Sequence, residues 1–288
     1  MPDVLLVIYS PFFIRALIAA VLISFITATM GSFTVFRGLT FIASTIAHAV
    51  WAGAALGLII QLYFAPWLNP IIVTIAVGVV AAVTISLLAG DGEREKFDVA
   101  IGIIFATSMS LVILFISMLR EYASRTFGLL LGDILLLSWE DLMYLLALTT
   151  LVVFLTLLFL NQFIFISFDF EGARVSGIKA EYFQILMFTL IALSIVVMVK
   201  SIGAILVYAI LTIPPAIANE VSKTVYQAML IAFLTALVTS IAGLFLSIYV
   251  SVAPSALMGL METALYIVIK ILHSNNKRKA ENSKYIIF

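Results

Sequence analysis

The residue with the clearest chemical potential in this sequence is His48, one of two histidines in a chain without cysteine. Neutral imidazole is a common ligand for transition metals. The absence of any thiol excludes thiolate metal sites, disulfides and a cysteine nucleophile. His48 is therefore a candidate metal ligand, and a neutral histidine that hydrogen-bonds a neighbouring helix is the alternative. One histidine does not hold an ion by itself, whereas a symmetric dimer would supply two.

A second distinctive group of residues lies in the segment 167–181, between two apolar stretches. The pattern E-x-A-x-x-x-G in this segment predicts a short helix that ends at a glycine, with an aspartate as its N-cap. An isolated short helix without a core of its own is typical of a segment that docks on a partner, and a solvated connector is the alternative. The residues concerned are Asp169, Glu171, Ala173, Arg174 and Gly177.

Several catalytic motifs are absent from the sequence. There is no G-x-x-x-x-G-K-[ST] phosphate loop, no H-E-x-x-H zinc motif and no G-x-S-x-G nucleophile motif. The chain therefore has no usual means of binding a nucleotide and no hydrolase arrangement. We do not expect it to be an enzyme.

The composition places these residues in a membrane protein. Of the 288 residues, 64% are hydrophobic and 10% are charged, and the mean hydropathy is +1.26. Soluble domains carry roughly a quarter charged residues. The 15 basic and 15 acidic side chains cancel, so the net charge indicates no polyanionic partner and no nucleic acid. A soluble enzyme, a DNA-binding domain and a disordered scaffold are excluded.

Long uncharged stretches define the membrane-spanning helices, since about 20 residues cross a hydrocarbon core of about 30 Å. We predict an all-α fold in one domain, 1–288, with nine spans. Eight spans is the alternative, because Pro214-Pro215 is able to break the seventh. The predicted spans lie near 12–36, 39–61, 70–90, 98–118, 143–166, 182–199, 202–219, 225–250 and 254–272.

The orientation follows from the distribution of lysine and arginine. The polar tail, 273–288, has four basic residues and is predicted to be cytoplasmic. Counting spans backwards places the segments 167–181 and 90–98 on the same side and the N-terminus outside. Arg120 and Arg125 do not fit, because this count places them outside.

The predicted spans place His48 deep in the bilayer. It follows Arg37 by eleven residues, or about 16 Å along a helix, which is close to the midplane. Ionisable groups at that depth usually face a cavity or a partner helix. The same helix carries the small residues Ala49, Gly53 and Gly57 at four-residue spacing. Such a stripe lets helices approach closely, either between chains or within one.

Several blocks of the sequence together resemble the permease subunits of zinc, manganese and iron ABC importers. They appear in the family's order and cover about residues 15–260. The blocks are Gly31 to Ala49 with Gly53 and Gly57, Ala100 to Phe105, Leu131 to Leu135, Ser138 to Asp141, Phe168 to Gly177, Gly203 to Val207, Pro214 to Ala216, and Gly243 to Ser247.

This resemblance implies a homodimeric channel in the cell membrane, a separate pair of cytoplasmic ATPase subunits, and an extracytoplasmic solute-binding protein that delivers the metal. It is consistent with the missing phosphate loop. The segment around Glu171 resembles the coupling helix that docks on the ATPase. No tightly bound cofactor is expected, because the divalent metal passes through transiently.

The sequence departs from the family pattern at the expected metal site. The family has an aspartate four residues before the histidine, where this chain has Ser44, a weak candidate ligand. Two Ser44/His48 pairs across a dimer bring no negative charge, so nitrogen coordination favours zinc over manganese. A chelated metal or another solute also fits. Near the final span, Ser251 replaces a common aspartate, and Glu262 is expected to pair with Lys200 or Lys270, or to extend towards the interface.

Two other function classes compete with an importer permease. A stand-alone secondary transporter or channel driven by an ion gradient usually has functional carboxylates within its spans or broken helices in paired halves. Here Glu262 is the only carboxylate in the middle of a span, and no inverted repeat is visible. An intramembrane enzyme would need a nucleophile and a base within the spans, and the sequence shows no such pair.

Overall fold

The computed structural model describes residues 9–90, 94–119, 132, 134–250 and 252–284, with side chains as far as residue 272. The described residues are mostly helical and contain no strand. Arg120, Arg125, Leu131, Asp133 and Ser251 lie outside them. The helices are α1 Pro11–Phe36, α2 Phe41–Tyr63, α3 Pro70–Ala89, α4 Arg94–Met118, α5 Trp139–Leu158, α6 Leu160–Phe168, α7 Phe170–Val175, α8 Ala180–Ile202, α9 Ala204–Val221, α10 Val225–Val250 and α11 Pro254–Lys284.

Nine of these helices are long and apolar enough to cross a membrane, counted over the described residues, and α6 and α7 are the two that are not. The all-α fold and the multi-span prediction are therefore confirmed. Because successive spans reverse direction, the α1–α2 turn, the end of α3, α7 and the end of α9 share one end of the bundle. We call this the α7 end, and it is the end predicted to be cytoplasmic.

Polar and proline residues fix where several helices begin. Asn69 accepts a hydrogen bond from the backbone N–H of Ile71, and Pro70 supplies the first residue of α3. Proline suits this position because its missing N–H would be unpaired there. At α5, Ser138 and Asp141 form a reciprocal capping box. The span therefore starts at Trp139, earlier than the predicted residue 143.

The small-residue stripe of α2 packs against α3 within the same chain. A Cβ atom added to Gly53 would lie 2.8 Å from Val77 Cβ, and one added to Gly57 would lie 2.8 Å from the carbonyl oxygen of Pro70. α2 is also the most buried of the spans, with 83% of its most apolar window inside the bundle. The stripe thus serves packing within the chain and places α2 at the centre of the fold.

The proline pair does not interrupt the seventh span. Helix α9 continues through Pro214 and Pro215, although each proline removes one helical N–H donor. Pro215 leaves the carbonyl of Leu211 without its helical donor. Gly31 lies so close that an added Cβ would be 2.8 Å from that carbonyl oxygen. A π-helical turn, Thr27–Gly31, brings α1 to this contact. Nine spans, not eight, are present among the described residues.

The predicted pairing of Glu262 is wrong. Lys200 pairs with Asp141, and Lys270 pairs with Glu220. Glu262 is fully buried between helices, so it does not extend to the interface either. Its Oε1 lies 3.4 Å from the hydroxyl of Thr239 on α10, and its Oε2 has no hydrogen-bond partner in the part of the chain that the structure describes. The error arose because the span order alone does not say which helices lie beside one another.

Candidate metal path and docking helix

His48 lies on α2 with its imidazole half-buried. Its Nδ1 atom is 2.7 Å from the backbone carbonyl oxygen of Ser44, one helical turn earlier. A carbonyl oxygen has no hydrogen to donate, so this contact is a hydrogen bond when Nδ1 carries the proton. In that neutral tautomer Nε2 keeps its lone pair. A histidine held in this way is prepared to bind a metal through Nε2.

Two aromatic rings lie next to the imidazole of His48. The ring of Phe105 on α4 has its centroid 5.0 Å from that of His48, and Trp51 is 6.3 Å away. Phe41, two turns before His48 on α2, lies 5.3 Å from Phe105 and 6.3 Å from Tyr208 on α9. We call the face of α2 that carries Phe41, Ser44 and His48 the candidate metal path. The rings packed against this face come from α4 and α9.

Of the polar residues that the sequence singled out, Ser44 is the other one on this face of α2. It is also half-buried. Over the described residues, no group of three or more histidine, cysteine, aspartate or glutamate side chains is placed to hold a metal ion. Among the described residues, His48 and Ser44 thus offer one nitrogen ligand and one hydroxyl on this face of α2.

A cavity of about 490 Å³ opens between α2, α3 and α8, but it is separate from His48. Its α2 lining includes Val50, Ala54 and Leu58 and does not include Ser44 or His48. Lys200 also borders it and is already paired with Asp141. With a mostly apolar lining, this cavity does not offer a metal site.

The short helix predicted in the segment 167–181 is present as α7, with both of its predicted caps. The Oδ1 atom of Asp169 accepts a hydrogen bond of 2.8 Å from the N–H of Gly172. At the other end Gly177 has a φ of +84°. The N–H of Ile178 donates to the carbonyl of Ala173, and the N–H of Gly177 to that of Arg174. These two bonds form a Schellman cap, which requires the left-handed residue.

One side of α7 is fixed to the bundle and the other is open. Ala173 is fully buried, whereas Val175 is 85% exposed. Arg174 lies 3.4 Å from Glu181 and 4.0 Å from Glu171, and these charged side chains are about half exposed or more. The arrangement presents an apolar side chain together with both signs of charge at the end of the bundle. Such a surface is suited to contact with another protein.

The sequence interpretation assigned no role to Arg37 and used it only as a reference point for the depth of His48. Its Nη2 donates a 3.0 Å hydrogen bond to Oε1 of Gln184, and its guanidinium faces the rings of Phe97, Phe170 and Phe188. Burial lowers the pKa of Arg37 to about 10, which leaves the side chain charged at neutral pH. The only sequence signal was an arginine at the boundary of two long apolar stretches.

Comparison with known proteins agrees with this architecture. A family model described as the ABC 3 transport family matches residues 9–273, nearly the whole chain. The chain belongs to the ABC 3 transport family. It is accordingly a transport protein that crosses the cell membrane several times, and the family assignment supports the permease interpretation over a stand-alone secondary transporter.

Relatives in this family include two permeases with named systems. The manganese import system permease protein ScaB of Streptococcus gordonii is 29% identical over 254 residues, covering 88% of each chain. The high-affinity zinc uptake system membrane protein ZnuB of Haemophilus influenzae is 26% identical and covers 88% of this chain and 94% of its own. A solved structure, PsaBC from Streptococcus pneumoniae in complex with Fab, has a TM-score of 0.80 at 25% identity, covering 93% of this chain and 94% of that one.

Proposed function

We propose that this chain is the membrane subunit of an ABC importer that carries a divalent transition metal as its substrate. The observation that supports this most is the similarity over most of the chain to ScaB and ZnuB, which are named for manganese import and zinc uptake. The geometry at His48 agrees, because the Nδ1–H bond to Ser44 leaves Nε2 with a lone pair for an ion.

Two copies of the chain complete the metal path in this proposal. A twofold axis beside the His48 face of α2 would bring two imidazoles and two Ser44 hydroxyls to one place. Zinc is well suited to imidazole ligands, whereas manganese prefers carboxylate and other oxygen ligands. Ser44 brings no negative charge. We therefore expect zinc to be carried in preference to manganese.

The chain itself carries out no covalent chemistry in this proposal. ATP is hydrolysed by a separate cytoplasmic ATPase pair, since this sequence has no phosphate loop. α7 docks on that pair through its exposed side, and closure of the ATPase moves α7 and the helices joined to it. An extracytoplasmic solute-binding protein delivers the metal to the opposite end. Such rigid-body coupling at an interface is a common transport mechanism.

Substitution of His48 tests this function directly. The wild-type chain and His48→Ala would be reconstituted in proteoliposomes with the partner ATPase and binding protein, and ATP-dependent uptake of zinc and manganese measured. We expect His48→Ala to lose uptake while the complex still assembles. His273→Ala, which removes the other histidine of the chain, is the matched control and should retain uptake. Equal uptake by wild type and His48→Ala would contradict the role of His48.

A further inference from the structure

Arg37 is held by aromatic side chains from three separate helices. It lies in the turn between α1 and α2. The carbon of its guanidinium is 5.1 Å from the ring centroid of Phe97 on α4, 5.7 Å from that of Phe188 on α8, and 5.7 Å from that of Phe170 on α7. Guanidinium groups at such distances are attracted by the ring faces. We call these three rings the aromatic box around Arg37. Phe170 is the first residue of α7, so one ring of the box belongs to α7.

A hydrogen-bond chain extends the box to a fourth helix. Gln184, which is buried, accepts from Arg37 and donates through Nε2 to Ser86 Oγ at 3.2 Å and to the carbonyl of Gly90 at 3.3 Å. Both acceptors belong to the end of α3. Among the described residues, the buried Nη1 atom of Arg37 has no hydrogen-bond partner and no carboxylate pairs with this arginine. The position of the guanidinium thus depends on the rings and on one amide.

The backbone around Arg37 is closely tied to both α1 and α2. The N–H of Gly38 donates to the carbonyl of Val35 at 2.9 Å, and that of Leu39 donates to Thr34 at 2.9 Å. Gly38 has a φ of +67°, which lets the chain reverse in this short turn. α2 begins at Phe41, only four residues after Arg37. A displacement of Arg37 would therefore be transmitted to α2 through a short and well-ordered segment of backbone.

We propose that Arg37 is the positioning residue that transmits movement of α7 to the metal-path face of α2. This inference rests on the proposed importer function. Phe170 contacts Arg37, and the turn leads from Arg37 to Phe41. Phe41 and His48 both pack on the ring of Phe105, at 5.3 and 5.0 Å. Each step is a direct contact or a short covalent connection, and the last step passes through the ring of Phe105 on α4.

The test compares transport with ATP consumption in the same vesicles. Wild type, Arg37→Met, Arg37→Lys and Phe170→Leu would be reconstituted with the ATPase and the binding protein, and zinc and manganese both offered. We expect Arg37→Met and Phe170→Leu to lower the metal carried per ATP hydrolysed by roughly 3- to 30-fold. Arg37→Lys should fall between, because it keeps the charge but loses the planar donor pair. ATPase copurification should be unchanged, since the exposed side of α7 is intact.

The control is Arg15→Met. Arg15 also lies over aromatic rings, 4.8 Å from Phe12 and 5.9 Å from Trp139, at the end of the bundle opposite to α7. The Arg15→Met variant should leave the amount of metal carried per ATP hydrolysed unchanged. If Arg37 serves general stability alone, its variants will lower the amount of complex but keep the ratio, and that result overturns the inference.

A double variant sharpens the test. Arg37→Met combined with Phe170→Leu should be no worse than the more affected single variant, because both remove the same contact. Additive losses would overturn the inference.

If Arg37→Met does not assemble, the inference is tested by the metal carried per ATP hydrolysed in Arg37→Lys and Phe170→Leu. A wild-type complex that takes up neither metal contradicts the proposed function itself, whereas wild-type uptake with unchanged variant ratios contradicts only the role of Arg37.

Discussion

His48 is hydrogen-bonded to the backbone of Ser44, not to its side chain. The side chain at position 44 is therefore free to change without releasing the imidazole. We expect Ser44→Asp to place a carboxylate one turn from His48 and to shift the metal preference towards manganese, because carboxylate oxygen suits that ion. Competition between zinc and manganese for ATP-dependent uptake measures the shift. Ser44→Asn has a similar shape without the charge and should keep the wild-type preference.

The Schellman cap of α7 gives a prediction about docking. Gly177→Ala forces a residue with a Cβ into a left-handed conformation, which costs about 1 kcal/mol, although no atom of the described residues lies within 4 Å of that Cβ. We expect weaker copurification of the ATPase and less uptake, with the chain still in the membrane. Gly102→Ala is the matched control, since Gly102 is in a regular helix and its added Cβ also meets nothing within 4 Å. Equal behaviour of the two variants would contradict the prediction.

Charges on the exposed side of α7 should also affect docking. Glu171→Lys reverses one of the two carboxylates that flank Arg174. If this side contacts the ATPase, we expect ATP hydrolysis to become uncoupled from metal uptake without loss of the chain from the membrane. The measurement is ATPase stoichiometry after purification together with uptake. Wild-type stoichiometry and wild-type transport would show that α7 does not dock.

Glu262 and Thr239 give a prediction about stability. Among the described residues, the carboxyl of Glu262 has one weak contact and one unpartnered oxygen in a fully buried position. A buried polar group without a full set of hydrogen bonds is costly. We expect Glu262→Gln to be as thermally stable as wild type or more so, and Glu262→Lys to be strongly destabilised. Thermal unfolding of the purified chain in detergent tests this, and a Gln variant as unstable as the Lys variant would contradict it.

The contact between Gly31 and α9 predicts a second effect on stability. A methyl group at position 31 would meet the Leu211 carbonyl at 2.8 Å and Pro215 Cγ at 3.0 Å. We expect Gly31→Ala to destabilise the chain by about 1–3 kcal/mol through overpacking. The same thermal measurement applies, again with Gly102→Ala as the control. A wild-type melting temperature for Gly31→Ala would mean that α1 and α9 separate easily.

The sequence predicted the spans well because charges and prolines mark their ends. The third span was predicted at 70–90 and observed at Pro70–Ala89, and the eighth at 225–250 agrees with α10. The fifth span was misjudged because Glu140 and Asp141 look like a loop. In the structure Asp141 serves both the capping box and the pair with Lys200.

The candidate site was less predictable than the spans. His48 and the α7 residues were found from their types and spacing, and their roles in transport stay predictions. The box around Arg37 was missed because its walls come from positions 97, 170 and 188, far apart in the chain. An attraction between a cation and ring faces has no spacing pattern in a sequence. It depends on which helices lie side by side, which also decided the partner of Glu262.

The two kinds of arginine at the α7 end should respond differently to ionic strength. Arg174 forms exposed ion pairs with Glu171 and Glu181, and dissolved salt screens such pairs. Arg37 is half-buried, and its contacts are with rings and an uncharged amide, which are not ion pairs that salt screens. Raising the salt concentration should therefore weaken the outer surface of α7 while the internal link from α7 to α2 keeps its strength. The contacts of α7 with a partner and its contacts with Arg37 would then differ in their sensitivity to salt.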